Sequence, residues 1–140
     1  MRNLTVALGL IEQDGKYMMQ LRSGGPMIGG AGLIGCFGGK VEAGENPKTA
    51  ARREINEETN LKLATNDLIF LGEVNVTSDH RMETVKVKAY IFEIRLESKI
   101  LVEAKEGELV IIEKKNASKY LDKMTTGTKA CFEQFILKRK

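Results

Sequence analysis

Apolar residues recur along this chain in two rhythms, one suited to strands and one to helices. Residues 4–12 (LTVALGLIE) and 16–21 (KYMMQL) are short apolar runs predicted as strands, and Gln13, Asp14 and Gly15 between them suit a hairpin turn. Residues 68–76 and 83–96 are rich in β-branched and aromatic side chains and predict two longer strands, with the polar TSDHR at 77–81 as the turn between them. ELVIIE at 108–113 predicts one more short strand, and LIGCFGG reads as a short apolar strand entering another turn. The glycine-rich stretch 23–32 reads as a loop. The clearest helix is 46–59: Asn46 can cap it, and Pro47 falls where its missing N–H costs nothing. Asn60 suits the left-handed conformation that ends a helix, with Leu61 as the apolar closing residue. Residues 117–122 and 128–138 predict further helices, the second with Phe132, Phe135 and Ile136 at core-facing spacing. Hairpin-like strand pairs interrupted by a few helices imply an α/β protein with a mixed sheet covered by helices.

With 140 residues and neither repeat nor linker, residues 1–140 read as one domain. The net charge of +3 is small and the signs are mixed, which argues against a dedicated nucleic-acid surface and against a membrane partner. The basic end, Lys138, Arg139 and Lys140, reads as a solvated helix terminus. Cys36 and Cys131 show no C-x-x-C spacing and read as reduced thiols. The apolar run 4–11 is too short to span a bilayer, has no cleavage signal and runs directly into Glu12 and Asp14, so the expected compartment is the cytoplasm.

Two glycine motifs fail on context. Gly30, Gly32 and Gly35 spell G-x-G-x-x-G, but a dinucleotide site needs a helix to open directly after the third glycine, and the helix waits until Asn46. Gly39 and Lys40 give the GK of a phosphate loop, yet Ile34 stands where its first glycine belongs and Val41 where Ser or Thr belongs.

The helix itself is unusual on packing grounds. Ala50, Ala51 and Ile55 are nearly its only apolar residues, while Glu54, Glu57 and Glu58 project three carboxylates from one face. Like charges at that spacing each cost roughly 0.2–0.5 kcal/mol, and the helix dipole opposes them near the C-terminus. Two readings follow from the residues alone: a solvated acidic face paired with Lys48, Arg52 and Arg53, or a rigid platform for a hard divalent cation.

Taken together, Gly39, Glu45, Arg53, Glu54, Ile55, Glu57, Glu58 and Leu61 resemble the Nudix box, G-x5-E-x7-R-E-U-x-E-E-x-G-U with U aliphatic. The one departure is Asn60, where the family has glycine. The resemblance implies an α/β/α sandwich around a mixed sheet. It implies metal-dependent hydrolysis of a nucleoside diphosphate linked to another moiety, with Mg2+ or Mn2+ as cofactor and a small nucleotide as substrate. The first candidate is a nucleoside triphosphate, an oxidised one included, cleaved to monophosphate and pyrophosphate. ADP-ribose, a nucleotide sugar, or a nucleotide-binding module without turnover are the alternatives.

The same resemblance assigns roles. Glu57 and Glu58 are the main metal ligands, helped by the backbone carbonyl of Gly38, and Glu54 binds a second metal or orients the attacking water. Arg53 holds the glutamates in position. Gly39, Glu45, Ile55 and Leu61 are structural within the motif. A further carboxylate comes from beyond the sheet, Glu106 preferred over Glu108, and Arg22, Gly39 and Lys40 are candidate substrate contacts. His80 takes no role. A monomer and a homodimer are both compatible with the chain.

Overall fold

The computed structural model of the chain describes residues 2–22, 32–80 and 83–137. Gly30, Met27 and the rest of the stretch 23–31, Arg81 in the expected turn, and the basic end at 138–140 lie outside the described residues. Seven strands form one mixed sheet: β1 (Arg2–Gln13), β2 (Lys16–Leu21), β3 (Ile34–Gly35), β4 (Phe37–Lys40), β5 (Ile69–His80), β6 (Glu83–Arg95) and β7 (Glu108–Glu113). β1 is its axis. One edge runs parallel to β6 from Arg2↔Val85 to Glu12↔Arg95, and the other is shared in succession. Val6 to Gly9 pair antiparallel with β4, and Ile11 to Gln13 pair with β2. β2 then leaves β1, taking β3 at Gln20 and Leu21 and β7 along its other edge.

Side chains alternate between the two faces, as the pleat requires. Ala7, Ile11, Phe92 and Ile94 meet α1 (Pro47–Glu58) through its buried Ala50, Ala51 and Ile55. Leu10, Tyr17, Met19, Ala89 and Ile91 meet Cys131, Phe132 and Phe135 on the opposite side. The result is the expected α/β/α sandwich. The two alanines let α1 lie close to the sheet, which explains how a helix with so little apolar surface is held. Asn46 caps α1 as the sequence indicates, its Oδ1 accepting the Thr49 N–H at 2.9 Å.

Four local expectations are corrected. Residues 77–80 are not a turn: β5 continues through them and pairs Thr77↔Lys86 to His80↔Glu83. Thr77 is exposed and Ser78 half-buried, and a strand with one face toward solvent has room for such polar residues. LIGCFGG is not one strand but two, because the chain changes partner at Cys36, from β2 to β1. The segment expected as a helix at 117–122 is a 3-10 run, Lys114–Lys123. The final helix begins earlier than expected, as α2 (Thr126–Cys131), and widens into a single π turn, Phe132–Ile136, closed by the Leu137 N–H on the Phe132 carbonyl at 2.8 Å. Among the described residues no helix is long and apolar enough to cross a membrane.

The π turn swings Phe132 edge-on against Tyr17, with ring centroids 5.2 Å apart, and leaves Phe132 wholly buried. Phe132→Ala should therefore cost about 3–5 kcal/mol. Urea unfolding checks this as a lower midpoint at unchanged slope, and a loss below about 1 kcal/mol would show that α2 is held mainly by other contacts.

Candidate functional site

The site grows from the C-terminal half of α1 and the strand that lies against it. Gly38 sits within β4 opposite Leu8, not in the turn expected at the end of LIGCFGG. Its φ of +143° and the Ala7 carbonyl oxygen, into which a Cβ would run, both require glycine. The Gly38 N–H is thereby aimed at α1 and donates to Glu58 Oε1 at 2.8 Å. Glu58 is buried, 8% exposed. Burial pushes its carboxyl up to about 7; the nearby charges of Glu54 and Glu106 add to that, while the Gly38 N–H and Arg22 work against it.

Gly39, next along β4, makes room for a second carboxylate: a Cβ there would stand 2.7 Å from Glu54 Oε2. Glu54 is in turn held by Arg53, whose Nη1 donates to Glu54 Oε1 at 2.9 Å. The same guanidinium grips Glu45 bidentately, Nε to Oε2 at 2.8 Å and Nη2 to Oε1 at 3.0 Å, and reaches the Lys40 carbonyl at 3.3 Å. Glu45 Oε1 also accepts the Glu42 N–H at 3.0 Å. One arginine thus joins the turn before α1, the end of β4 and the acidic face. The bonds from Glu45 and then Glu54 raise the Arg53 pKa, and Arg53 holds the Glu45 carboxyl down at about 2.

Not every predicted residue joins this group. Glu57 is largely exposed, 59% for its side chain, with its Oε2 3.6 Å from Arg53 Nη1. Glu106 is close enough for its charge to act on Glu58, whereas Glu108 lies in β7 opposite Leu21. Ile55 and Leu61 are buried in the α1-side core. Asn60 does not take the left-handed conformation expected of it; among non-glycine described residues only Asp14 has positive φ. α1 instead ends at an extended Thr59, with φ of −131°.

Arg22, Gly38, Gly39, Lys40, Glu54 and Glu58 all line one cleft of about 590 Å³. Leu4, Val6 and Leu8 of β1 and Val76 and Val87 give it aliphatic surface, and Ser78, Thr125, Thr126 and Thr128 bring hydroxyls. Sequence reasoning missed these last nine residues. Three of them carried a signal, the even-numbered alternation of β1, which puts Leu4, Val6 and Leu8 on the face away from α1. A second hollow of about 560 Å³ is lined by Asn3, Thr5, Asn75, Thr77, Lys86 and Lys88 and contains no predicted site residue.

Among the described residues no three acidic, His or Cys side chains converge into a ready-made metal cage. The donors nevertheless suit a hard cation that keeps most of its waters: carboxylate oxygens only, with Glu58 burdened by its burial and by the charges of Glu54 and Glu106, a burden that a cation would relieve.

Comparison with known proteins bears on the family and the fold. The model of the NUDIX domain matches residues 1–120. An oxidized purine nucleoside triphosphate hydrolase of Danio rerio is 36% identical over an alignment of 81 positions that covers 54% of this chain and 50% of that protein, so the match spans half of its relative. A MutT protein from Methanosarcina mazei Go1 superposes with a TM-score of 0.78 at 21% identity, over 99% of this chain and 96% of that one. A bifunctional NMN adenylyltransferase/ADP ribose pyrophosphatase from Francisella tularensis, solved with AMP and a Mn ion, gives 0.69 at 20% identity over 94% of this chain and 40% of that one.

The depressed Glu45 pKa has a signed consequence. Its stabilisation is complete above the ordinary value of 4.5 and is lost as pH falls through about 2. Glu45→Gln should melt below the wild type at neutral pH, with the gap closing between those two pH values. Parallel melting curves across that range would remove the Arg53–Glu45 pair as a source of stability.

Proposed function

The chain belongs to the NUDIX family, and on that premise we propose that it is a single-domain, divalent-metal-dependent hydrolase that cleaves a nucleoside triphosphate, oxidised ones included, to monophosphate and pyrophosphate. The observation that carries this reading is the Glu58 carboxyl, buried on the Gly38 N–H beside Glu54 and within reach of the charge of Glu106, at the wall of a cleft that also holds Arg22 and Lys40. A stability-driven fold would not bury a carboxylate among others without a use for it.

Glu58 and Glu54 would hold Mg2+ or Mn2+, with Glu106 and the Gly38 carbonyl completing the set and Glu57 joining from its exposed position. The ion would neutralise the anionic diphosphate and lower the pKa of a bound water. Arg53 fixes the Glu54 carboxylate, so that Glu54 can accept a proton from the attacking water or orient it. Arg22 and Lys40 offer positive charge to the phosphates, and the aliphatic and hydroxyl surface of the cleft is left for the nucleoside. A cytoplasmic setting accords with Cys36 and Cys131, buried as free thiols.

A screen of nucleoside triphosphates, ADP-ribose, dinucleotides and nucleotide sugars with Mg2+ tests the reading. Pyrophosphate release from triphosphates supports it; turnover confined to ADP-ribose or nucleotide sugars would replace the substrate class, and no turnover of any of them would leave a binding module. Glu58→Gln should lower kcat on the order of 100-fold or more with the fold retained, and Glu57→Gln should also lower it. Full activity in both variants would overturn the metal-site assignment.

A further inference from the structure

Asn60, the one residue that departs from the family's box, has a specific task in this structure. Its side-chain amide works as a two-way clamp: Nδ2 donates to the Leu101 carbonyl at 2.7 Å and Oδ1 accepts the Glu103 N–H at 2.7 Å. Its own N–H donates to the Glu103 carbonyl at 3.1 Å. A side-chain amide carries donor and acceptor in one plane, so an ionised carboxylate, an alanine or a glycine at 60 cannot make both side-chain bonds.

The clamped strand of chain leads directly into the site. After Glu103, Ala104 bridges Thr59, and the Lys105 and Glu106 N–H groups turn onto the Glu58 carbonyl at 2.7 and 3.4 Å. Gln20 Nε2 fastens the far end through the Glu106 carbonyl at 3.0 Å. The segment 101–106 is therefore held along the C-terminal end of α1, and the carboxylate it delivers there is that of Glu106. We propose that Asn60 is a positioning residue that docks this segment on α1 and so sets Glu106 beside Glu58, a role that in this chain replaces the helix-ending turn a glycine would make. The inference rests on the proposed function for the part Glu106 plays, but the clamp is measurable without turnover.

Two readouts on the metal-binding protein without substrate test it. In Asn60→Ala the amide protons of Glu103, Lys105 and Glu106 should exchange faster while those of α1 keep their protection, and Mn2+ should bind roughly 10-fold more weakly. Asn60→Asp, which keeps the acceptor and loses the donor, should fall between alanine and wild type; Asn60→Gly should behave like alanine. In turnover, Asn60→Ala should lower kcat with little change in KM, and it should cost nothing further in a Glu106→Gln background, because both changes remove the same carboxylate from its place. Unchanged exchange and unchanged Mn2+ affinity in Asn60→Ala and Asn60→Gly would overturn the inference, as would fully additive effects with Glu106→Gln. Failure of the wild type to hydrolyse any nucleotide would instead overturn the proposed function, so the two failures are distinct.

Discussion

A single hydrogen bond, from the Gly38 N–H to the buried Glu58 carboxylate, ties together the parts on which the rest of the site depends. It joins β4, which pairs with the central strand, to the last turn of α1, which covers the other side of that strand. The bond can form only because position 38 lacks a side chain, since β4 otherwise could not lie so close to Ala7 and Leu8. It also offsets part of the cost of burying a carboxylate, whose pKa burial still raises toward the neutral form. The fold tolerates that cost because β4 is held by its pairing with β1 and α1 by its buried Ala50, Ala51 and Ile55.

Within the site, Arg53 is what ties the acidic face of α1 to the turn and strand beside it. A planar guanidinium can grip Glu45 with two parallel bonds and still reach Glu54 and the Lys40 carbonyl, which a lysine could not do. The repulsion expected among the acidic residues of α1 is answered by a cation in their midst, and Glu57 is drawn outward to the same group. The cleft that results combines carboxylates and cations with an aliphatic and hydroxyl-bearing surface, a makeup that suits the nucleotide proposed for it.

Much of this was legible in the chain. Pattern and propensity gave the strands, the Asn46 cap and the mixed sheet, because alternation and capping are local properties of a few neighbouring residues. The box from Gly39 to Leu61 pointed to the acidic site, since a helix converts fixed spacing into a fixed face. Misreadings fell where pairing outside the segment itself decides. Thr77 to His80 looked like a turn but gain their bonds from β6, and the polar character of the segment says nothing about that pairing. Asn60 looked like a left-handed cap, yet the main chain of Leu101 and Glu103 offers its amide better use.

The amino-acid sequence by itself determined the elements, the acidic helix face, and the kind of chemistry that its carboxylates and glycines suit. Only the tertiary structure decided which carboxylates meet: Glu54 and Glu58 at the cleft, Glu106 near enough to act on Glu58, Glu57 turned toward solvent and Glu108 away in β7. Spacing along one helix specifies direction but not burial. Burial, which raises the pKa of Glu58, comes from β4 just before that helix and from the segment carrying Glu106, tens of residues beyond it.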